Sequence, residues 1–129
     1  MTAPPTIPGF APVGAGALCR IGPDEDLVAA IEKAADEAGF DMALIRGALG
    51  SLYEVTLDIN GNRRTLKGPA IEILSLNGRS TRNPAGGRAP ADYALVGDVC
   101  GTTHGGRVVP GTAPVCVTVE LMIETTGPA

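Results

Sequence analysis

"GPAIEILSLNGRS", residues 68–80, holds the segment on which the fold turns. From Ala70 to Leu76 only Glu72 and Ser75 are polar. Period-two alternation puts Glu72, Leu74 and Leu76 on one face and Ile71 and Ile73 on the other. Both faces are apolar, so the expectation is a strand covered on both sides. A carboxylate there needs a cationic partner, for which Arg46, Arg79 and Arg107 are available, or a place at a subunit boundary or cleft. The alternative is the exposed end of the strand, where Glu72 stays in water.

The flanks of this strand read as further strands. Upstream, "LYEVTLDINGNRRTLK" alternates Tyr53, Val55, Leu57 and Ile59 with Glu54, Thr56 and Asp58, and Asn60-Gly61 is a two-residue hairpin turn. Before it, "MALIRGALG" (42–50) runs apolar into a glycine-rich bend. Downstream, residues 79–91 form a Gly/Pro loop carrying Arg79, Arg82 and Arg88, which either meet an anion or sit in water. "DYALVGDVC", a short strand after "GTTHGGRVVPG", and "VCVTVELMIET" follow. In the last of these Val115, Val117, Val119, Leu121 and Ile123 share one face.

Only one segment has helical period. "GPDEDLVAAIEKAADEAGF" places Leu27, Ile31, Ala34, Ala35 and Ala38 on a narrow face, with Asp24 as cap and Glu25 and Asp26 in the first turn. Gly39 supplies the left-handed stop, with Phe40 as the contact beyond it. "ALCRI" (17–21) is the first strand. Residues 1–16 hold four of the eleven prolines and read as an extended arm lying on a surface, such as a neighbouring subunit's. The result is an α+β domain over 17–125, with about seven mostly antiparallel strands and one main helix.

At 129 residues the chain is one domain, and its 44% hydrophobic and 19% charged composition is that of a folded one. The net charge of −4 and only four aromatic residues argue against a surface that grips nucleic acid as a whole. Three cysteines, 19, 100 and 116, with no CxxC pair, read as reduced, buried thiols in a cytoplasmic protein. No signal peptide and no membrane span are read from the sequence.

The single histidine, His104, has no second histidine and no acidic neighbour in its own turn, so it reads as a loop residue and not as a metal ligand. Cys100 and His104 form a possible nucleophile and base, with a buried strand cysteine as the simpler account. The glycine-rich pieces lack the residues of a phosphate loop.

The order of these pieces resembles the PPC domain, the plant and prokaryote conserved domain also found in plant AT-hook proteins. The likeness runs from about Ala17 to Glu124 and rests most on "EILSLNG" (72–78) and Gly105-Gly106. It implies a trimer-forming α+β domain whose subunits share sheet faces, which would explain a strand apolar on both sides. It also implies, for many prokaryotic members, a metal held by a His-x-His pair and a histidine after the Gly-Gly pair. Those positions fall on Ala91, Tyr93 and Arg107, so neither metal nor cofactor is expected. "GGRAP" (86–90) lacks the flanking basic residues of an AT-hook, so any DNA role is expected to be indirect.

The function expected is therefore a homotrimeric module acting by assembly or partner binding, with catalysis left open. The alternative is a small-molecule binder or enzyme with an anion-holding cleft between subunits. Tyr93, His104 and Arg107 would line it, with Arg46 and Glu72 nearby.

Overall fold

The computed structural model describes residues 13–126, so most of the expected N-terminal arm lies outside the described residues. The elements are β1 (Val13–Ile21), α1 (Leu27–Ala38), β2 (Met42–Ile59), β3 (Asn62–Arg82), β4 (Arg88–Gly97), β5 (Thr103–Val108) and β6 (Val115–Thr126). They form one sheet in the order β1-β6-β2-β3-β4-β5, with every pairing antiparallel. A further pairing of Leu57 with Val108 and of Asp58 with Arg107 joins β5 back to β2. It closes β2, β3, β4 and β5 into a small barrel, leaving β1 and β6 as an extension of the sheet.

Six strands replace the expected seven because the hairpin arm after Asn60-Gly61 and the Glu72 strand are one continuous element, β3. The hairpin itself is as read: Asn60 and Gly61 have φ of 53° and 85°, the two left-handed positions of a tight turn. β1 starts at Val13, four residues before the expected Ala17.

The alternation expected of residues 70–76 breaks in the middle. A bulge between Ile73 and Ser75 resets the register, so Ile71, Ile73 and Leu76 are all buried while Glu72 and Leu74 are exposed. Leu76 therefore lies on the core side and not beside Glu72. A shift of the same kind in the pairing of β6 with β2 turns Val117 outward, 66% exposed, while Val115, Val119, Leu121 and Ile123 stay in the core.

The helix lies over the inner sheet face, against β1, β3, β4 and β6. Its cap is Asp26, not Asp24: an Asp26 carboxylate oxygen accepts from the Ala29 amide at 3.1 Å. The same side chain accepts from the Ala113 amide at 3.1 Å and the Gly111 amide at 3.3 Å, tying the helix start to the β5–β6 loop. Gly39 ends the helix in the left-handed region (φ 74°), and the buried Phe40 follows as expected. Leu27, Ile31, Leu52, Ile71, Leu121 and Ile123 form the fully buried centre between helix and sheet.

Two glycines let backbones touch. A Cβ on Gly78 (φ 152°) would lie 2.0 Å from the Ala91 carbonyl oxygen, and one on Gly106 (φ 159°) 3.1 Å from that of Asp58. Any side chain at either position would push β3 from β4, or β5 from β2, which accounts for glycine in both stretches.

Candidate functional site

Residues paired across a ladder share a face. Tyr93 pairs with Arg107, Leu95 with Gly105 and Asn77 with Tyr93, which places Tyr93, Leu95 and Arg107 on the outer face. Leu74, Leu95 and Tyr93 are 54%, 42% and 54% exposed there. At the other end of the sheet Leu18, Leu49 and Met122 are exposed as well, and with Arg46 and Glu120 they border a shallow depression of about 470 Å³. One face of the sheet is thus covered by α1 and the other carries large apolar side chains in water.

The five residues read as a possible ligand site are not gathered in one chain. Tyr93 and Arg107 stand together and border a concavity of about 420 Å³ with Asp58, Ile59 and Asn60. One guanidinium nitrogen of Arg107 donates to the Pro90 carbonyl at 2.8 Å. His104 pairs with the buried Val96, so it faces inward, opposite to Arg107 three residues on. Arg46 lies at the far end of the sheet, 3.8 Å from the Glu124 carboxylate. Glu72 is exposed, opposite Ser51 and Gly97, with no ion pair among the described residues. None of the three arginines proposed for it is its partner, because they sit on other stretches of the sheet.

His104 is not a loop residue. It belongs to β5, its side chain is only 14% exposed, and its Nε2 lies 2.9 Å from Asp98 Oδ2. The other Asp98 oxygen accepts from the amides of Cys100 and Thr102, both at 2.9 Å. The hydrogen bond from His104, then the Thr102 amide, hold the Asp98 carboxyl below the usual carboxylate range. The sequence did carry a signal for this: an aspartate opening "DVCGTT" is the residue that accepts amides two and four positions on in a turn. Cys100 is exposed in that turn and not a buried strand cysteine. Because His104 Nδ1 faces Arg64 Nη1 at 3.4 Å, both ring nitrogens are engaged and no Cys100–His104 dyad forms.

Two of the three arginines of the 79–91 segment, Arg82 and Arg88, find anions within the chain. β3 and β4 extend through Arg82 and Arg88, leaving only residues 83–87 as a loop. Arg88, with a side chain 2% exposed, reaches Asp36 at 2.7 Å, the Ser80 carbonyl at 3.2 Å and the Phe40 carbonyl. Arg82 reaches Asp36 and Asp41, each at 3.0 Å. Arg88 in particular holds the Asp36 carboxyl below its ordinary value.

Asp92 was missed altogether. It is 1% exposed on the inner face of β4, and among the described residues neither carboxylate oxygen has a hydrogen-bond partner. Burial first, then the nearby Glu32 carboxylate, push it up to about 7.

An antiparallel sheet, closed in part into a barrel and covered on one face by a single helix among the described residues, defines the class. The domain model of the Plants and Prokaryotes Conserved family (PCC, also written PPC) matches residues 10–127, and the chain belongs to that family. It is similar to a PPC protein from Pyrococcus horikoshii, at 21% identity and a TM-score of 0.76 over 96% of this chain and 87% of that one. A metal-containing protein from Archaeoglobus fulgidus is 26% identical, with a TM-score of 0.74 over 92% and 84% of the two chains. A candidate DNA-binding protein from Bacteroides thetaiotaomicron is 17% identical, with a TM-score of 0.74 over 91% and 84%. No curated protein matches the chain.

The residues at the three positions where the resemblance implies a metal do not fit a divalent ion. The pairings Arg79–Ala91 and Tyr93–Arg107 bring Ala91, Tyr93 and Arg107 to one face, but an alanine and an arginine donate nothing to a cation. Among the described residues no three His, Cys, Asp or Glu side chains converge. No helix among them is long and apolar enough to cross a membrane.

Proposed function

We propose that this chain is a homotrimeric module that acts through assembly and partner binding, and that any association with DNA runs through its partners. The observation that carries the reading is the uncovered outer sheet face. Leu18 and Leu49 are 71% and 73% exposed in the single chain, with Leu74, Leu95, Val117 and Met122 exposed too. Side chains of this size on a sheet face favour a protein cover, each contributing about 1.5–3 kcal/mol on full burial. The family resemblance supplies the number three. A net charge of −4 works against direct affinity for a phosphate backbone, and three free cysteines suit a reducing, cytoplasmic setting.

Sedimentation equilibrium at micromolar concentration tests this. The expected mass is three times the 13.0 kDa of one chain, falling to one chain in Leu49→Asp. A single-chain mass for the unsubstituted protein refutes the assembly reading.

A second reading has its own observation. The cross-strand pair Tyr93–Arg107, beside a concavity that a neighbouring subunit could complete, suits an anionic small molecule held by the guanidinium. Arg107→Ala would then abolish thermal stabilisation by such a ligand and leave the melting temperature without it nearly unchanged.

A further inference from the structure

The interior of a small barrel is normally filled by apolar side chains. Here the inward positions read Val55, Leu57 and Ile59 on β2, Asn62, Arg64 and Leu66 on β3, and His104, Gly106 and Val108 on β5. Deep in the barrel Val55, Leu66, Val96 and Val108 are buried. At the end formed by the β2–β3 hairpin the filling stops, and Asn62, Arg63, Arg64 and His104 border a cavity of about 380 Å³ together with Leu57, Ile59 and Gly105. That volume is within the range of small-molecule pockets, about 300–1,000 Å³, and barrel mouths are a frequent place for them.

The charges at this mouth are unequal. Arg63 also borders the cavity, but it is paired with Asp58 at 3.1 Å. Arg64 points in, and among the described residues it has no carboxylate, only the 3.4 Å contact with His104 Nδ1. A guanidinium can only donate, so Nδ1 is the accepting nitrogen and Nε2–H donates to Asp98. Asp98 is in turn fixed by two backbone amides, which sets the ring's tautomer and orientation from behind. The arginine fork is thereby left with donors uncommitted among the described residues, beside a cavity that Leu57 and Ile59 help to wall.

We propose that this barrel mouth is a binding site for small organic monocarboxylates. Arg64 takes the carboxylate in a two-pronged contact, with the Asn62 amide as an additional donor, and Leu57 and Ile59 cover a short acyl chain. A phosphate dianion suits the site less. Of the two arginines at this mouth only Arg64 lacks a carboxylate among the described residues, and the ionised Asp98 carboxylate stands directly behind the imidazole. The site lies on the inner side of β5, whereas Tyr93 and Arg107 lie on the outer side, and it requires no second subunit.

The test is a titration with sodium butyrate, followed by amide and methyl NMR shifts at constant ionic strength, with inorganic phosphate and butylamine in parallel. Saturable shifts at Leu57, Ile59, Arg64 and His104 are expected with butyrate and not with butylamine. Arg64→Ala should weaken butyrate at least tenfold while keeping the amide spectrum of the folded chain, and Arg20→Ala, on β1, should bind as the parent does. Absence of saturation at millimolar butyrate overturns the proposal, as does unchanged affinity in Arg64→Ala. Saturation by phosphate alone overturns the carboxylate assignment. Loss of butyrate in Arg107→Ala but not in Arg64→Ala moves the site to the outer face and refutes this one.

Discussion

β3 carries arginines near both of its ends, and the two ends treat them differently. At the C-terminal end Arg82, with Arg88 across the loop, is wired to Asp36, Asp41 and the chain just after α1. At the N-terminal end Arg64 has one long contact to an imidazole. The first arrangement uses charge to fix architecture: the buried Arg88 spans helix and hairpin and donates to the Ser80 and Phe40 carbonyls. The second leaves a charge uncommitted beside a cavity. A saturated cation is a structural part, and an unsaturated one beside an opening is available to a ligand.

Asp92 sharpens this comparison because it is buried like Arg88 and unpaired, and it should give the largest effect. Its folded value of about 7 lies above the ordinary 3.8, so its contribution is fully present below about pH 4 and is lost as pH rises through about 7. A shift of that size corresponds to roughly 4 kcal/mol of stability lost between those limits. Asp36 and Asp98, whose values are lowered, contribute in the opposite sense and are lost as pH falls. Urea unfolding across pH 4–8 should therefore show declining stability on the neutral side, and Asp92→Asn should flatten that decline. An unchanged slope in the variant would show that Asp92 has a partner or reaches solvent.

Breaking the clamp comes next. Arg88→Ala removes the guanidinium donor to the Ser80 and Phe40 carbonyls and deprives Asp36 of its nearest cation, an expected loss of about 3 kcal/mol measured by urea unfolding at pH 7. Arg88→Lys should recover little of it, since one ammonium cannot serve three separated acceptors with the arginine's planar fork. A loss under about 0.5 kcal/mol would place Arg88 among ordinary surface residues and erase the contrast between the ends.

Much of this architecture was legible in the sequence because it is local. The Asn60-Gly61 turn, the Gly39 stop, the single helix and the antiparallel strands each follow from a few adjacent residues. What stayed hidden depends on register. Nothing in "IEILSL" marks the bulge that moves Leu76 to the core, and nothing in "VCVTV" marks the shift that exposes Val117. The candidate site was only partly legible for the same reason. Tyr93 and Arg107 do meet, 14 residues apart, because β4 and β5 pair in that register. His104 faces away from them because three residues along a strand reverse its side. Arg64 could be recognised only once the closure of β5 onto β2 had brought it beside His104.

Arg64→Ala is the smallest expected change in stability and the one that most directly opposes the clamp. The side chain is exposed, and among the described residues its one hydrogen bond is a long 3.4 Å and no carboxylate depends on it. Removing it should alter unfolding free energy by less than about 0.5 kcal/mol. Replacing a cation at the inward edge of an apolar cavity by a methyl group can even raise stability slightly, since the alanine needs no solvation there. Measured beside Arg88→Ala in the same urea series, the pair should differ at least several-fold. A loss in Arg64→Ala equal to that of the clamp variant would make Arg64 a structural partner of His104. The distinction between the ends of β3, and the ligand site built on it, would then fall together.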